Sequence, residues 1–428
     1  MSRLIGWPLS LSGPLLKKRA EHLLAATWGT EVRLQPAKRQ PREAHVRRLL
    51  VQVGPQNLPQ SVIVKQMRTF HASGAGATSY PAAAWRFFND WAGLQFVSQT
   101  MGADGCSPHF YAGDRARGFF VIEDLQSATP LSTLLAGQDA SAAADALLQL
   151  ARVLGELHAQ TCGKEALFAA LRAQLAPQEA SWGWVPPWQR APAAYRRLLA
   201  TLEEPVRRQG FASYRWMPAV LRQVTTAFSI PLPNQAEVEL EQVVKALSMP
   251  GPFGAYTHGD PCPDNCLLQH QTLKLIDFEN GAFRHALLDA VYGRMLFPTC
   301  WQVGRLPYGL VQQMEAIYRA ELVPGCPEAA DETRFAQELV HACAYWVLLL
   351  CQFNTLSLLL RRDQRWGTTT MRQRVLARFA QFAQTTAEFG YLEALGQVFA
   401  ALASHLQGRW SAEAPQLPLY AAFRSSEG

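Results

Sequence analysis

The chain has 428 residues, of which 49% are hydrophobic and 17% charged, and a formal net charge of +6. That balance argues against a disordered protein and is enough to bury a large core. At about 150 residues per domain, the length predicts two or three domains or lobes. Basic residues gather near the start, where Arg33, Lys38, Arg39, Arg42, Arg47 and Arg48 outnumber their acidic neighbours Glu31 and Glu43. No Lys/Arg run is long enough for a nucleic-acid tail, so this charge reads as attraction to a nucleotide or as a plain solvated face.

The eight cysteines are scattered without a CxxC. Cys262 and Cys266 lie four apart, but no His/Cys pair elsewhere has zinc-ligand spacing, so reduced, mostly buried thiols in a cytoplasmic protein are expected. The apolar start, MSRLIGWPLSLSGPLLKK, is interrupted by Pro8 and Pro14 and makes a poor signal peptide. The segment Tyr345 to Leu360 is the most apolar. With Gln352, Asn354, Thr355 and Ser357 inside it, it reads as a buried helix rather than a membrane span.

In chain order, the pattern over Leu15 to Thr27 predicts a helix with Leu15, Leu16, Leu23 and Leu24 on one face. Three strands follow: Glu31 to Leu34, Val46 to Val53 and Ser61 to Met67. Gly54-Pro55-Gln56-Asn57 turns between the last two. The loop QPAKRQPREAH between the first two strands contains no glycine. Pro81 to Met101 is helical, Gly118 to Leu125 is a strand, and Ala142 to Thr161 is a strong amphipathic helix containing His158, which reads as a packing histidine. Between Phe168 and Pro250 the chain is rich in Trp and Pro and then helical over Tyr195 to Val206 and Glu237 to Ser248. Further helices are predicted at Leu310 to Leu322, Arg334 to Leu360, Met371 to Phe389 and Tyr391 to Gln407.

The densest chemistry lies in AYTHGDPCPDNCLLQHQTLKLIDFENGA, residues 255 to 282. An apolar strand leads into His258-Gly259-Asp260, Asn265 follows in a tight polar loop, and a second strand, Leu273 to Ile276, ends at Asp277-Phe278-Glu279. This arrangement can bring Asp260, Asn265 and Asp277 to one edge of a small sheet. Phosphoryl transfer needs such a set: one carboxylate to accept a hydroxyl proton, and an amide oxygen with a second carboxylate to hold magnesium.

HGDPCPDN followed by LKLIDFE resembles the catalytic loop and metal-binding segment of the aminoglycoside phosphotransferase and choline kinase group. The resemblance implies an α+β, two-lobed protein-kinase-like fold. Its small antiparallel-sheet N-lobe would occupy residues 1–125 and its large, mainly helical C-lobe residues 126–428. It implies ATP and Mg²⁺, with Asp260 as the catalytic base and Asn265 and Asp277 as metal ligands. Lys65, in SVIVKQM, resembles the strand lysine that contacts the nucleotide phosphates. The group's pattern pairs that lysine with a helix glutamate. No Glu occurs between Lys65 and Phe120, and the role passes to Asp90, the one acid on the helix. Glu123, Asp124 and Leu125 take the place of the linker whose backbone binds adenine, and Asp289 that of a structural aspartate fixing the catalytic loop. The aromatic insert with Trp182, Trp184 and Trp188 falls where the group carries its acceptor pocket; a cationic cage and a loop anchor both fit these rings.

The expected activity is transfer of a γ-phosphoryl group to a hydroxyl of a small molecule: an aminoglycoside, an amino alcohol or a sugar-like metabolite. A catalytically silent, kinase-shaped ligand-binding protein is the competing expectation. It draws on the glycine-free first loop and the missing helix glutamate. No nucleic-acid or membrane partner is expected.

Overall fold

The computed structural model describes residues 11–41, 43, 45–54, 59–67, 80–102, 105–176, 214–269, 271–352, 356, 359–410 and 416–427. The chain divides into two compact units. One comprises Met1–Ala128, Ala166–Trp184 and Gln269–Gly281; the other comprises Thr129–Glu165, Val185–Leu268 and Ala282–Gly428. Its class is α+β, as expected, with a five-stranded antiparallel sheet in the first unit and mostly helices in the second.

In the first unit, helix α1 (Gly13–Trp28) precedes strands β1 (Arg33–Pro36), β2 (Val46–Val53) and β3 (Ser61–Gln66). Gly29 stops α1 by adopting φ 69°, which lets its N–H reach the Ala25 carbonyl. Helix α2 (Tyr80–Met101) and strands β4 (Phe110–Asp114) and β5 (Phe119–Glu123) follow, and the sheet order is β1-β2-β3-β5-β4. β5 reads FFVIE, and its first four residues are buried, as its position between two strands demands. Leu16 and Leu24 of α1 pack with Leu34, Leu49, Val62 and Val121 from the strands into one apolar cluster. β4 lies close under α2: a Cβ on Gly113 would fall 2.0 Å from the Trp91 ring, so only glycine fits there. β4 is absent from the sequence expectation because AGD gives no run of β-branched residues.

The second unit holds α3 (Leu131–Ala136) and α4 (Ala140–Thr161), the latter capped by the Asp139 carboxylate, which accepts from the Ala142 N–H at 3.0 Å. Strand β6 (Thr129–Pro130) pairs antiparallel with β8 (Cys266–Gln269), and strand β7 (Gly254–Thr257) with β10 (Ala282–His285), Ala255 facing Arg284. Long helices at Tyr308–Leu322, Glu332–Gln352, Met371–Phe389 and Glu393–Trp410 supply most of the remaining core. Thr370 and Gln373 form a reciprocal capping box at the start of the third. Of the helix expected from Arg334 to Leu360, the structure describes Glu332–Gln352, and residues 353–355, 357 and 358 lie outside the described residues. No helix among the described residues is long and apolar enough to cross a membrane. The expected Pro55–Asn57 turn residues and the Tyr195–Val206 helix lie outside the described residues.

Two buried arginines on the Met371–Phe389 helix organise the segment Met295–Trp301. Arg378 donates to the carbonyls of Met295, Leu296 and Phe297 at 3.1, 3.1 and 3.3 Å, and Arg374 to those of Cys300 and Trp301 at 2.7 and 2.5 Å. These bonds matter because Leu296 and Phe297 both take positive φ, 59° and 45°, a conformation that costs a bulky residue of order 1–3 kcal/mol. Burial, then the neighbouring Arg374, works against the Arg378 charge and pushes its pKa down to about 9, so the guanidinium still carries its charge at neutral pH. Arg378→Met should therefore destabilise the protein by about 3 kcal/mol, at roughly 1 kcal/mol for each carbonyl deprived of its donor. Urea titration followed by tryptophan fluorescence measures this, and a loss under about 1 kcal/mol contradicts it.

Candidate active site

Each group of candidate residues is built within its own unit. In the first, β3 carries Lys65 opposite Phe120 of β5, and α2 carries Asp90 on its buried side. Strand β9 (Thr272–Leu275), fastened by the Leu275 N–H to the Cys106 carbonyl at 2.6 Å, delivers Asp277 to the same place. Lys65 Nζ lies 2.8 Å from Asp90 Oδ2 and 3.3 Å from Asp277 Oδ1, so residues 212 apart in sequence meet at one ammonium group. The other Asp90 oxygen, Oδ1, accepts the Phe278 N–H at 2.8 Å. Asp90 thus binds the lysine with one oxygen and the backbone beside Asp277 with the other. Its shorter side chain suits this double contact where α2 packs on the Phe278–Asn280 turn.

Asp277 has φ 69° and ψ 60°, a left-handed conformation that Asp tolerates better than most residues. Its side chain is 40% exposed, against 6% for Asp90 and 14% for Lys65, so it is the acid of the three that solvent or a ligand can reach. Burial opposes the Lys65 charge, but Asp90 and Asp277 outweigh it and hold the ammonium above its ordinary pKa. At Asp90, burial and the Asp277 charge favour the neutral acid, while Lys65 and the Phe278 amide favour the carboxylate. Glu279 sits 2.9 Å from Arg86, yet burial, reinforced by Asp277, pushes its carboxyl up to about 7.

Asn89, next to Asp90, donates to the carbonyls of Glu279 and Gly281 at 3.1 and 2.8 Å. Asn89 and Arg86 are absent from the sequence expectation. The signal for Asn89 is a pair of polar residues, Asn89-Asp90, set between the apolar pairs Phe87-Phe88 and Trp91-Ala92, and both are buried. In the segment expected to bind adenine, the Asp124 carboxylate is taken up structurally. Arg48 grips it at 2.6 and 2.9 Å and Ser61 donates at 2.5 Å. Glu123 accepts the His109 N–H at 3.1 Å and donates its own N–H to the His109 carbonyl at 2.9 Å. Leu125 is buried and its carbonyl accepts from the Ala128 N–H at 2.9 Å.

The second unit holds Asp260 and Asn265. β7 ends at Thr257, and the loop that follows is pinned by Asp289, whose carboxylate accepts the His258 N–H at 2.6 Å and the Gly259 N–H at 3.1 Å. Burial disfavours that carboxylate, but His158 outweighs it and lowers its pKa, so Asp289 stays ionised. His158 itself is fully buried with Nδ1 2.8 Å from the Tyr318 hydroxyl. A short 3₁₀ turn, Pro263–Asn265, closes the loop. There the Asn265 amide nitrogen donates to the Asp260 carbonyl at 2.9 Å, which leaves the amide oxygen for other work. Thr299 donates its hydroxyl to Asp260 Oδ1 at 2.5 Å. The expectation of reduced thiols fails at one pair: Cys262 is disulfide-bonded to Cys300, with Cα atoms 5.6 Å apart. Their 38-residue separation hides the pairing, because only the fold of the intervening chain brings the two together. Trp182, Trp184 and Trp188 lie outside the described residues.

No protein-family model matches the chain. No curated protein matches it either. Solved structures similar to it include a choline kinase from Streptococcus pneumoniae, at 13% identity over 87% of this chain and 99% of the other, with a TM-score of 0.37. A choline kinase from Cryptosporidium parvum matches at 10% identity over 88% and 93%, TM-score 0.40. A macrolide 2'-phosphotransferase from Brachybacterium faecium matches at 12% over 76% and 91%, TM-score 0.34. Likenesses this slight leave the reading to rest on the residues themselves.

Removing Lys65 leaves a buried carboxylate without its cation, so Lys65→Met should cost about 3–5 kcal/mol of stability. Adding Asp90→Asn to it should return part of that loss, because the amide has no charge to strand. Denaturant unfolding of the two single variants and the double variant checks this, and strictly additive losses contradict it.

Proposed function

We propose that the protein is an ATP-dependent small-molecule kinase of the aminoglycoside phosphotransferase and choline kinase kind. It would move a γ-phosphoryl group to a hydroxyl of an aminoglycoside, an amino alcohol or a sugar-like metabolite. The observation that carries the reading is the meeting of Lys65, Asp90 and Asp277 at one ammonium group. A lysine kept charged by two carboxylates, one of them partly exposed, is a fixed positive centre beside a usable acid. The nucleotide phosphates need the first, and a divalent cation needs the second.

In this reading Lys65 contacts the α- and β-phosphates while Asp90 fixes its position and that of the turn behind Asp277. Asp277 offers a partly exposed carboxylate and Asn265 an amide oxygen, both hard oxygen donors of the kind that suit Mg²⁺. When bound, Mg²⁺ supplies charge neutralisation on the phosphoryl group in transfer. Asp260 orients the acceptor hydroxyl and takes its proton. Its backbone loop is fixed through Asp289 and its side chain through Thr299, so positioning rather than covalent chemistry does most of the work. The backbone of Glu123 to Leu125 is the proposed adenine contact, consistent with the Asp124 side chain being occupied by Arg48 and Ser61.

The glycine-free loop between β1 and β2 favours a second reading, a silent binding protein, since no run of glycine amides is available to close over phosphates. ADP release from Mg·ATP, screened over hydroxylated metabolites and aminoglycosides, separates the two. Asp260→Asn is expected to lower kcat by roughly a hundredfold to ten-thousandfold, the range for a general base, with nucleotide affinity little changed. Turnover at the wild-type rate rejects that role. Asp277→Ala is expected to weaken calorimetric binding of Mg·ATP by more than about tenfold, the low end for disturbing a metal's supporting residues. An unchanged titration removes Asp277 as a ligand.

A further inference from the structure

Three consecutive residues, Thr299, Cys300 and Trp301, engage alternate positions of the Asp260 loop. Thr299 donates to Asp260 Oδ1 at 2.5 Å, Cys300 is disulfide-bonded to Cys262, and Trp301 Nε1 donates to Asp264 Oδ2 at 2.5 Å. We infer that Thr299 is a positioning residue for the catalytic base, held on Asp260 by the clamp that Cys300 and Trp301 complete. The inference rests on the reading of Asp260 as the proton acceptor.

The direction of the hydrogen bond follows from chemistry. An ionised carboxylate can only accept, so the single Thr299 proton points at Asp260. The Tyr292 hydroxyl also has one proton and donates it to the Gly259 carbonyl at 3.2 Å, so at 3.3 Å from Thr299 Oγ1 it does not compete for Asp260. A donor fixed on one carboxylate oxygen sets the plane of the carboxyl group and so the direction of the other oxygen. It also favours the charged form, which a base must hold before it can take a proton.

The support behind Thr299 is rigid. Arg374 is fully buried, donates to the carbonyls of Cys300 and Trp301 on one side, and donates its Nε–H to Thr369 Oγ1 at 2.9 Å. Gly367 meets the Trp301 carbonyl so closely that no Cβ would fit. A threonine that merely filled space would need none of this, and a valine would replace it.

The test uses the full chain and Mg·ATP with water as acceptor, reading ADP release, for Thr299→Val, Thr299→Ser and Asp260→Asn. Thr299→Val should lower kcat by about tenfold or more while KM for nucleotide stays within about twofold. It should also move the acid limb of the pH profile upward, because Asp260 loses a donor that favours its charged form. The titratable groups that face Asp260 are His258, Asp264, Cys266, Asp289 and Tyr292; burial pushes the Cys266 thiol and the Tyr292 hydroxyl up, away from an acid limb, and none of the five loses a partner in Thr299→Ser. Serine should restore both rate and limb. A valine variant with wild-type rate and limb, or a serine variant no better than valine, overturns the inference.

Should the wild type release no ADP with water or with any of the screened hydroxylated acceptors, or Asp260→Asn release it unchanged, the kinase reading fails by itself. Carboxyl ¹³C titration then decides the Thr299 contact without substrate, the Asp260 signal being the one lost in Asp260→Asn. An upward shift of its midpoint in Thr299→Val, reversed in Thr299→Ser, supports the inference, and an unmoved midpoint overturns it.

Discussion

The Asp90 carboxylate is the contact on which the first unit's chemistry depends. One of its oxygens holds Lys65 and the other the Phe278 amide. A helix and two separate strands are thereby tied to a single side chain that is almost wholly buried. Desolvating a carboxylate is expensive unless its oxygens find donors, and here a cation meets one oxygen and a backbone N–H the other. The more exposed Asp277 then shares the same lysine without having to hold the structure together.

In the second unit the loop around Asp260 is governed by a different economy. Its backbone is fixed from within by Asp289, while its side chain is fixed from a segment that is itself under torsional strain. Leu296 and Phe297 keep their positive φ because Arg378 binds the carbonyls around them. The placement of Thr299 therefore traces back to two guanidinium groups on a helix that begins more than seventy residues later in sequence.

Much of this was legible in the sequence where the chemistry is local. HGDPCPDN and LKLIDFE mark Asp260, Asn265 and Asp277 as candidates through the family resemblance that they carry, and Asp90 stands out because no glutamate occurs on its helix. The long helices and the strands β2 and β3 follow from periodicity. β4 escaped because five residues ending in Ala-Gly-Asp carry no strand pattern, although packing under Trp91 leaves no room for a side chain at Gly113. The Cys262–Cys300 bond and the Thr299 contact escaped for a single reason: both are made by tertiary folding, between residues whose local sequence carries no mark of the partner.

The left-handed backbone at Asp277 has one more consequence. Glycine would adopt that turn without torsional cost, so at this position the most comfortable residue for the fold is one with no side chain at all. Keeping an acid there trades conformational ease for a charge held at a fixed angle. The turn is thus a place where improving the scaffold and preserving its chemistry pull in opposite directions.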